Sequence, residues 1–268
     1  MIIEQTLDIL KSRHQSRIEN LTLMKVRLGM HLSAVQLSDG SCGVAGNAPG
    51  NGQHAPRKKE RDFGDFTPNQ IRGRKVLDLL ETPKQGPIID TLKIAVLNAI
   101  STALLAEADY TVIEDKDPIE LLDLTQKRKI TMVGAFQSYI RNLSAAGHQL
   151  QVLEMNADSM GEDLQKYYVP AHEYPSVIPD SDVVIITGLT LVNQTIDGLL
   201  SHITPGTEVV VSGPSANILP EVLFSNGVTI IGATRITDPE ILFSTVGEGG
   251  SGYHLFRYGA RKICVVRG

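Results

Sequence analysis

Two short turns carry residue types that could hold a small molecule. Thr187-Gly188-Leu189-Thr190 and Gly213-Pro214-Ser215 each close or follow an apolar run, VVIITG (183–188) and EVVVSG (208–213). Backbone N–H groups and hydroxyls at such turns can bind an anion or a carbonyl oxygen, although capping the next helix is their usual role. Side by side, the two turns would floor a pocket. Gly134 ends a third run, ITMVG (130–134), and Glu154 lies near the end of a strand expected over 150–155. An acid at the end of a second strand is where dinucleotide-binding sheets hold a ribose hydroxyl. The loop before it reads Gly134-Ala135-Phe136-Gln137-Ser138-Tyr139, which keeps only the first glycine of G-x-G-x-x-G. A conventional NAD or FAD site is therefore not supported, and the glycine-rich first loop of S-adenosylmethionine enzymes is also absent. Glu154 stands evenly between a ligand contact and a solvated strand end.

Other chemistry finds less support. The histidines are His14, His31, His54, His148, His172, His202 and His254; none forms H-E-x-x-H and none lies beside Cys42 or Cys264. His172 and Glu173 are neighbours, and adjacent residues rarely ligate one ion together. No G-x-S-x-G marks a nucleophile. GEGGSG (247–252) could cradle a phosphate or form a lid, but it lacks the P-loop Lys-Ser/Thr ending. It reads best as a flexible link before a last strand over 262–266.

These turns need a scaffold. The three runs and a fourth, VTIIG (228–232), are apolar on both faces, as in the middle of a parallel sheet covered by helices. Helical stretches follow at least three of them, giving the alternation of an α/β doubly wound domain. Ligands bind such sheets beyond the carboxyl ends of the strands, where these glycines should lie. A helix is expected over 136–146 with Gly147 terminating it, and Pro220 suits the first turn of another.

The first half reads differently. Ile3, Leu7, Leu10, His14, Ile18 and Leu21 predict a helix over 3–20. Val26, Leu28, Met30 and Leu32 then fall on one face of a strand, and Asp39-Gly40 predicts a hairpin with its return strand over 41–45. From 46 to 74 there is no periodicity; KKER (58–61) is more simply a solvated charge run than an anion patch. Helices are expected over 76–80 and 88–105, the second buried, with Asn98 inside it needing partners. Pro118 suits the first turn of a short helix in the segment that holds the domain boundary.

Whole-chain numbers bound the function. The chain has 268 residues, 42% hydrophobic and 21% charged, with a formal net charge of −5, so no electrostatic footprint for nucleic acid exists. Aromatic residues are 5% with no Trp, which argues against a base-stacking surface. No apolar run approaches the roughly 20 residues of a membrane span. The N-terminus lacks the apolar core of a secretory signal, and two cysteines make no disulfide framework, so a cytoplasmic location is the default.

Three segments carry a family resemblance: ITGLTLVNQTIDGLL (186–200), GPSANILPEVLFSNGVTIIG (213–232) and TDPEILFSTVGEGG (237–250). Together they resemble the putative heavy-metal chelation family, a prokaryotic group. The similarity extends to MVGAF (132–136), AVLNAI (95–100) and, more loosely, LSDGSCGVA (37–45). The resemblance implies an α+β domain similar to the N-terminal fold of enolase (1–118: helix, β-hairpin, helices). A Rossmann-like, doubly wound, mostly parallel sheet would follow (119–268). It also implies a pocket between the two, lined by Asn98, Gly134, Phe136, Glu154, Thr187, Gly188, Thr190, Asn193, Gly213, Pro214 and Ser215. The family's description can mean direct ion binding or a role with a metal-chelating organic molecule, pterin-like or siderophore-like. A Gly/Thr/Asn/Ser-lined crevice without a Cys/His cluster favours the organic molecule.

Three functions compete. The first is binding of such a ligand, with a divalent metal compatible and no other cofactor named. The second is a transferase or hydrolase acting on a heterocyclic or carbonyl substrate. There Glu154 or Asp197 would be the general base, with N–H groups at Gly188 and Gly213 facing an oxyanion. The third is a non-catalytic scaffold. Expected partners are a small molecule and, on base rates, a second copy of the chain; neither nucleic acid nor membrane is expected.

Overall fold

A computed structural model describes residues 1–48 and 63–267, so KKER (58–61) and His54 lie outside the described residues. The chain opens with α1 (Ile2–Ile18), then β1 (Leu23–Leu28), β2 (Leu32–Leu37) and β3 (Cys42–Gly46), an antiparallel sheet in the order β1-β2-β3. The hairpin at Asp39-Gly40 forms as expected: Gly40 takes φ +86°, and the Asp39 carboxylate accepts the Ser41 N–H at 3.0 Å. The single strand expected through Met30 does not form. The chain turns between Leu28 and Leu32, leaving Met30 76% exposed in the turn. Gly29 makes that turn possible, since a Cβ there would lie 2.2 Å from the Val246 carbonyl oxygen.

Two helices follow, α2 (Val76–Glu81) and α3 (Pro87–Leu105), the latter entered through proline at its first turn. By length and composition α3 could cross a membrane, contrary to the expectation that no run comes close. In the fold, 67% of its most apolar window is buried. It is a core helix: one side lies on β2 and β3, and its remaining apolar side joins the second half. β3 can lie directly on it because Gly43 has no side chain; a Cβ there would be 2.0 Å from the Ala95 carbonyl oxygen.

The second sheet has eight strands. They are β4 (Thr111–Glu114), β5 (Lys129–Val133), β6 (Gln149–Glu154), β7 (Tyr168–Pro170), β8 (Val183–Thr187), β9 (Glu208–Ser212), β10 (Ile230–Ile236) and β11 (Ala260–Val266). The order is β4-β11-β10-β9-β8-β5-β6-β7. The six strands from β7 across to β10 are parallel, in the order 3-2-1-4-5-6 of a doubly wound sheet, reversing between β5 and β8. β11 and β4 are added antiparallel. β4 thus comes from the first-half side of the boundary expected at 118 and joins the large sheet as its edge.

Two expectations near the end of the chain are corrected. Gly232 does not close its strand; β10 runs on to Ile236 because β11 pairs with it from Ile230 to Ile236. The glycines of 247–252 do not lead straight into the last strand. They separate α9 (Pro239–Gly247), capped by Asp238, from a further helix that precedes β11. In chain order the intervening helices are α4 (Gln137–Ala145), α5 (Tyr174–Val177), α6 (Leu189–Val192), α7 (Ile196–Leu200) and α8 (Pro220–Ser225), with α10 (Gly252–Tyr258) after α9. Gly147 terminates the helix before it at φ +82°, as expected.

The faces of the large sheet differ. On the inner face Val184, Ile186, Val209, Val211, Ile231 and Val265 share one core with α3 and the first half. On the outer face Val183, Ile185, Val210, Ile230 and Cys264 share a core with Tyr139, Ile140 and Leu143 of α4.

Candidate functional site

A cavity of about 570 Å³ opens at the carboxyl edge of the outer face, between α4 and α10. Its floor comes from β9, β10 and β11 through Ser212, Gly232 and Lys262; Phe136 and Tyr139 form one wall, and Tyr253, Phe256 and Arg257 of α10 form the other. The Phe136 and Tyr139 rings are stacked, with centroids 5.2 Å apart and planes 10° from parallel. These two residues stand at the second and third glycine positions of the dinucleotide pattern. Where that pattern lets a pyrophosphate approach bare backbone, this chain places a pair of rings.

The charges around the cavity are mostly positive. Lys262 Nζ donates to Asp117 at 2.7 Å and lies 5.7 Å from the centre of the Phe256 ring. Arg257 donates to the Tyr253 hydroxyl at 2.8 Å and lies 5.4 Å from the centre of the Tyr258 ring. Among the described residues no carboxylate lines the cavity. The Tyr139 hydroxyl donates to Asp117 just behind the wall. Burial, and then this carboxylate, push the Tyr139 phenol far above its ordinary range, so it stays protonated.

The residues picked out by sequence divide between this cavity and the opposite side of the sheet edge. Phe136, Gly213 and Pro214 line the cavity. Gly134, at φ +97°, lies behind Phe136 against the Thr187 methyl group. Gly188, Asn98 and Ser215 sit where the end of β3 meets the large sheet. The Ser215 hydroxyl accepts the Gly46 N–H at 2.8 Å, the Gly188 N–H donates to Ser212 O at 2.7 Å, and the Asn98 amide donates to Val44 O at 2.8 Å and Pro214 O at 3.2 Å.

Others serve their own loops. The Thr187 hydroxyl accepts the Leu189 N–H at 3.3 Å, and Thr190 donates back to Thr187 O at 2.7 Å. The Asn193 side chain accepts the Thr195 N–H and hydroxyl. Both proposed bases already hold backbone. Glu154 accepts the N–H groups of Ala135, Met155 and Asn156 at 3.1, 2.7 and 3.2 Å, and Asp197 accepts that of Ile2 at 2.8 Å. A smaller cavity of about 290 Å³ does lie between the halves, beside Leu80, Asp90, Lys93, Leu191 and Asp197. Of the residues expected to line an interdomain pocket or act there, only Asp197 borders it. Burial raises the Asp90 carboxyl and lowers the Lys93 amine in that cleft.

Sequence reasoning missed Asp117, Tyr139, Ser212 and Lys262, together with the cavity-facing residues of α10; Gly232 was expected at the ligand crevice and does line the cavity. The replacement of two fingerprint glycines by aromatics was the available signal. Among the described residues the donor set does not fit a directly coordinated metal. Among the described residues no three His, Cys, Asp or Glu side chains come together to hold one. Both cysteines are buried, and burial pushes each thiol up to about 11, away from the thiolate a soft metal requires.

Comparison with known proteins gives a consistent picture. The sequence model of a family described as "Putative heavy-metal chelation" matches residues 117–265, and a second model with the same description matches 12–101. An uncharacterized protein of Methanocaldococcus jannaschii is 30% identical over 151 residues, and the alignment spans 55% of each chain, about half the relative's length. A crystal structure of a protein of unknown function from the first of these families, from Pyrococcus horikoshii, aligns over 99% of this chain and 98% of its own with TM-score 0.76 and 20% identity. Another, from Desulfitobacterium hafniense, aligns over 98% and 99% with TM-score 0.71 and 17% identity. At these identities the likeness is one of fold.

Proposed function

The chain belongs to the family described as putative heavy-metal chelation, and from that membership we propose that it binds a planar, negatively charged organic chelator in the cavity between α4 and α10. The observation that carries this reading is the lining: four aromatic rings, one pair of them stacked, with Arg257 and Lys262 and, among the described residues, no carboxylate. Flat rings offer stacking surfaces to a flat ligand, and the cations favour an anion over a neutral or cationic one. A metal handled by this protein would arrive held by the organic molecule, since the described side chains supply no donor set of their own. On the same reading the first half is enolase N-terminal-like, which its three antiparallel strands followed by α2 and α3 support.

Calorimetric titration tests the proposal with 2,3-dihydroxybenzoate and dipicolinate as planar anionic chelators and cyclohexanecarboxylate as a non-planar control. The planar anions should bind at micromolar concentration and the control about tenfold more weakly or worse, a difference of about 1.4 kcal/mol. Phe136→Ala and Arg257→Ala should each weaken the planar ligands about tenfold. Zinc alone should show no saturable binding. Equal binding of the control, or saturable binding of bare zinc with no response to either planar anion, would remove the proposal.

A further inference from the structure

The cavity of about 290 Å³ between the halves takes no part in that reading and is built differently. Leu80, Ile94, Leu191 and Val192, all buried members of the inner core, form its apolar walls. Among the described residues no aromatic ring lines it. Into this setting α3 sends one carboxylate and one ammonium, from Asp90 and Lys93. Three residues apart on a helix, they stand on one face. They do not neutralise each other by direct contact. Lys93 Nζ donates to the Thr82 carbonyl oxygen at 3.0 Å, and among the described residues no ion pair joins it to Asp90. Both are half-buried, and burial disfavours the charged form of each, raising the Asp90 carboxyl and lowering the Lys93 amine. A ligand carrying the opposite charge to each would relieve both.

The other carboxylates at the cleft are less available. Asp197 already accepts the Ile2 N–H at 2.8 Å, and the Glu4 side chain is 66% exposed. Gln194, at the rim, takes φ +60°, a left-handed conformation that residues other than glycine rarely adopt. Backbone strain of this kind collects at ligand sites. The volume lies at the lower end of ligand cavities, which suits a molecule smaller than a drug. We propose that this cleft is a second binding site, for an aliphatic α-amino acid or a zwitterion like it. Its ammonium would lie against Asp90, its carboxylate against Lys93, and its tail on Leu80, Ile94, Leu191 and Val192. Asp90 and Lys93 belong to the first half, whereas Leu191 and Val192 lie on α6 of the second, so the ligand touches both halves. The inference is independent of what fills the larger cavity.

Calorimetry with three probes of one carbon skeleton tests it: L-leucine, 3-methylbutylamine and 4-methylpentanoate. Leucine carries both charges, the amine lacks the carboxylate, and the acid lacks the ammonium. Leucine should bind saturably to the native protein, with each singly charged probe about tenfold weaker. In Asp90→Asn, leucine and the amine should weaken about tenfold, while the acid stays within about twofold of native. Lys93→Met should do the reverse, weakening leucine and the acid and sparing the amine. Affinity for 2,3-dihydroxybenzoate should be unchanged in both variants, which also shows that they are folded. No saturable heat from leucine with the native protein would overturn the proposal. So would amine or acid binding as tightly as leucine, or leucine affinity unchanged in both variants. None of these results bears on the larger cavity, whose own test uses planar anions.

Discussion

The two sides of one sheet edge are used in opposite ways. On the inner side, Ser215 and Asn98 meet the end of β3 in close, hydrogen-bonded contact, and hold the halves together. On the outer side, a few ångströms of chain away, Ser212, Gly213 and Pro214 border open space of about 570 Å³. The residue types are alike: glycine, serine and small polar groups at strand ends. What differs is whether another part of the chain arrives to cover them. A glycine turn is therefore a place where something can come close, and the rest of the fold decides whether that is protein or ligand.

Substitutions should separate these uses. The largest effect is expected at Gly43, where a Cβ would meet the α3 backbone 2.0 and 2.5 Å away and neither side can give. Gly43→Ala should cost about 3 kcal/mol or more, read as a lower urea midpoint. Asn98→Ala comes next. Losing the amide leaves the Val44 and Pro214 carbonyls without its donors, so about 2 kcal/mol of stability should go, while the affinity for 2,3-dihydroxybenzoate should stay within about threefold of native. Binding lost at full stability would erase the distinction between the two sides.

Gly232→Ala is the counterpart of Gly43→Ala on the outer side. The clash is with a serine hydroxyl that can rotate and one proline carbon, so stability should fall by only about 1 kcal/mol. Binding should nevertheless weaken about tenfold, because the new methyl stands on the cavity floor.

The smallest effect concerns the cysteines, one in each region. Burial raises both native thiols from the ordinary 9.0 to about 11. The unfolded chain therefore loses these protons first as pH rises. The stability they contribute is fully present below about pH 9 and drains away as pH climbs through about 11. Denaturation midpoints at pH 8, 9.5 and 10.5 should show this decline, and it should be shallower in Cys42→Ala and Cys264→Ala.

Much of the scaffold was legible because its signals are local. Apolar runs gave β5, β8 and β9, and Gly147 and Pro220 marked helix ends by their backbone preferences. The buried Asn98 announced itself as an amide inside an apolar helix. The cavity was not legible in the same way. Lys262 meets Asp117 across 145 residues of chain, and that meeting depends on β11 entering the sheet antiparallel. Nothing in KICVV states its direction. Gly29 looked like part of a strand because its need for a close approach to Val246 lies in the far half of the sequence. Phe136 was named but its stacking partner Tyr139 was not, since a ring three residues into a helix reads first as core.

The eighth strand has a consequence for anyone dividing this protein. The matched family regions end at 101 and begin again at 117, yet β4 (Thr111–Glu114) lies between them and covers β11 from Ile263 to Val266. A fragment cut at 117 would lose that cover and present a β-prone edge of Ile, Cys and two Val residues with unpaired backbone groups. It would also bare the inner face that α3 shields. Such edges pair with whatever strand they meet. The fragment should therefore aggregate at concentrations where the whole chain stays dispersed, even though every described cavity-lining residue is still present in it.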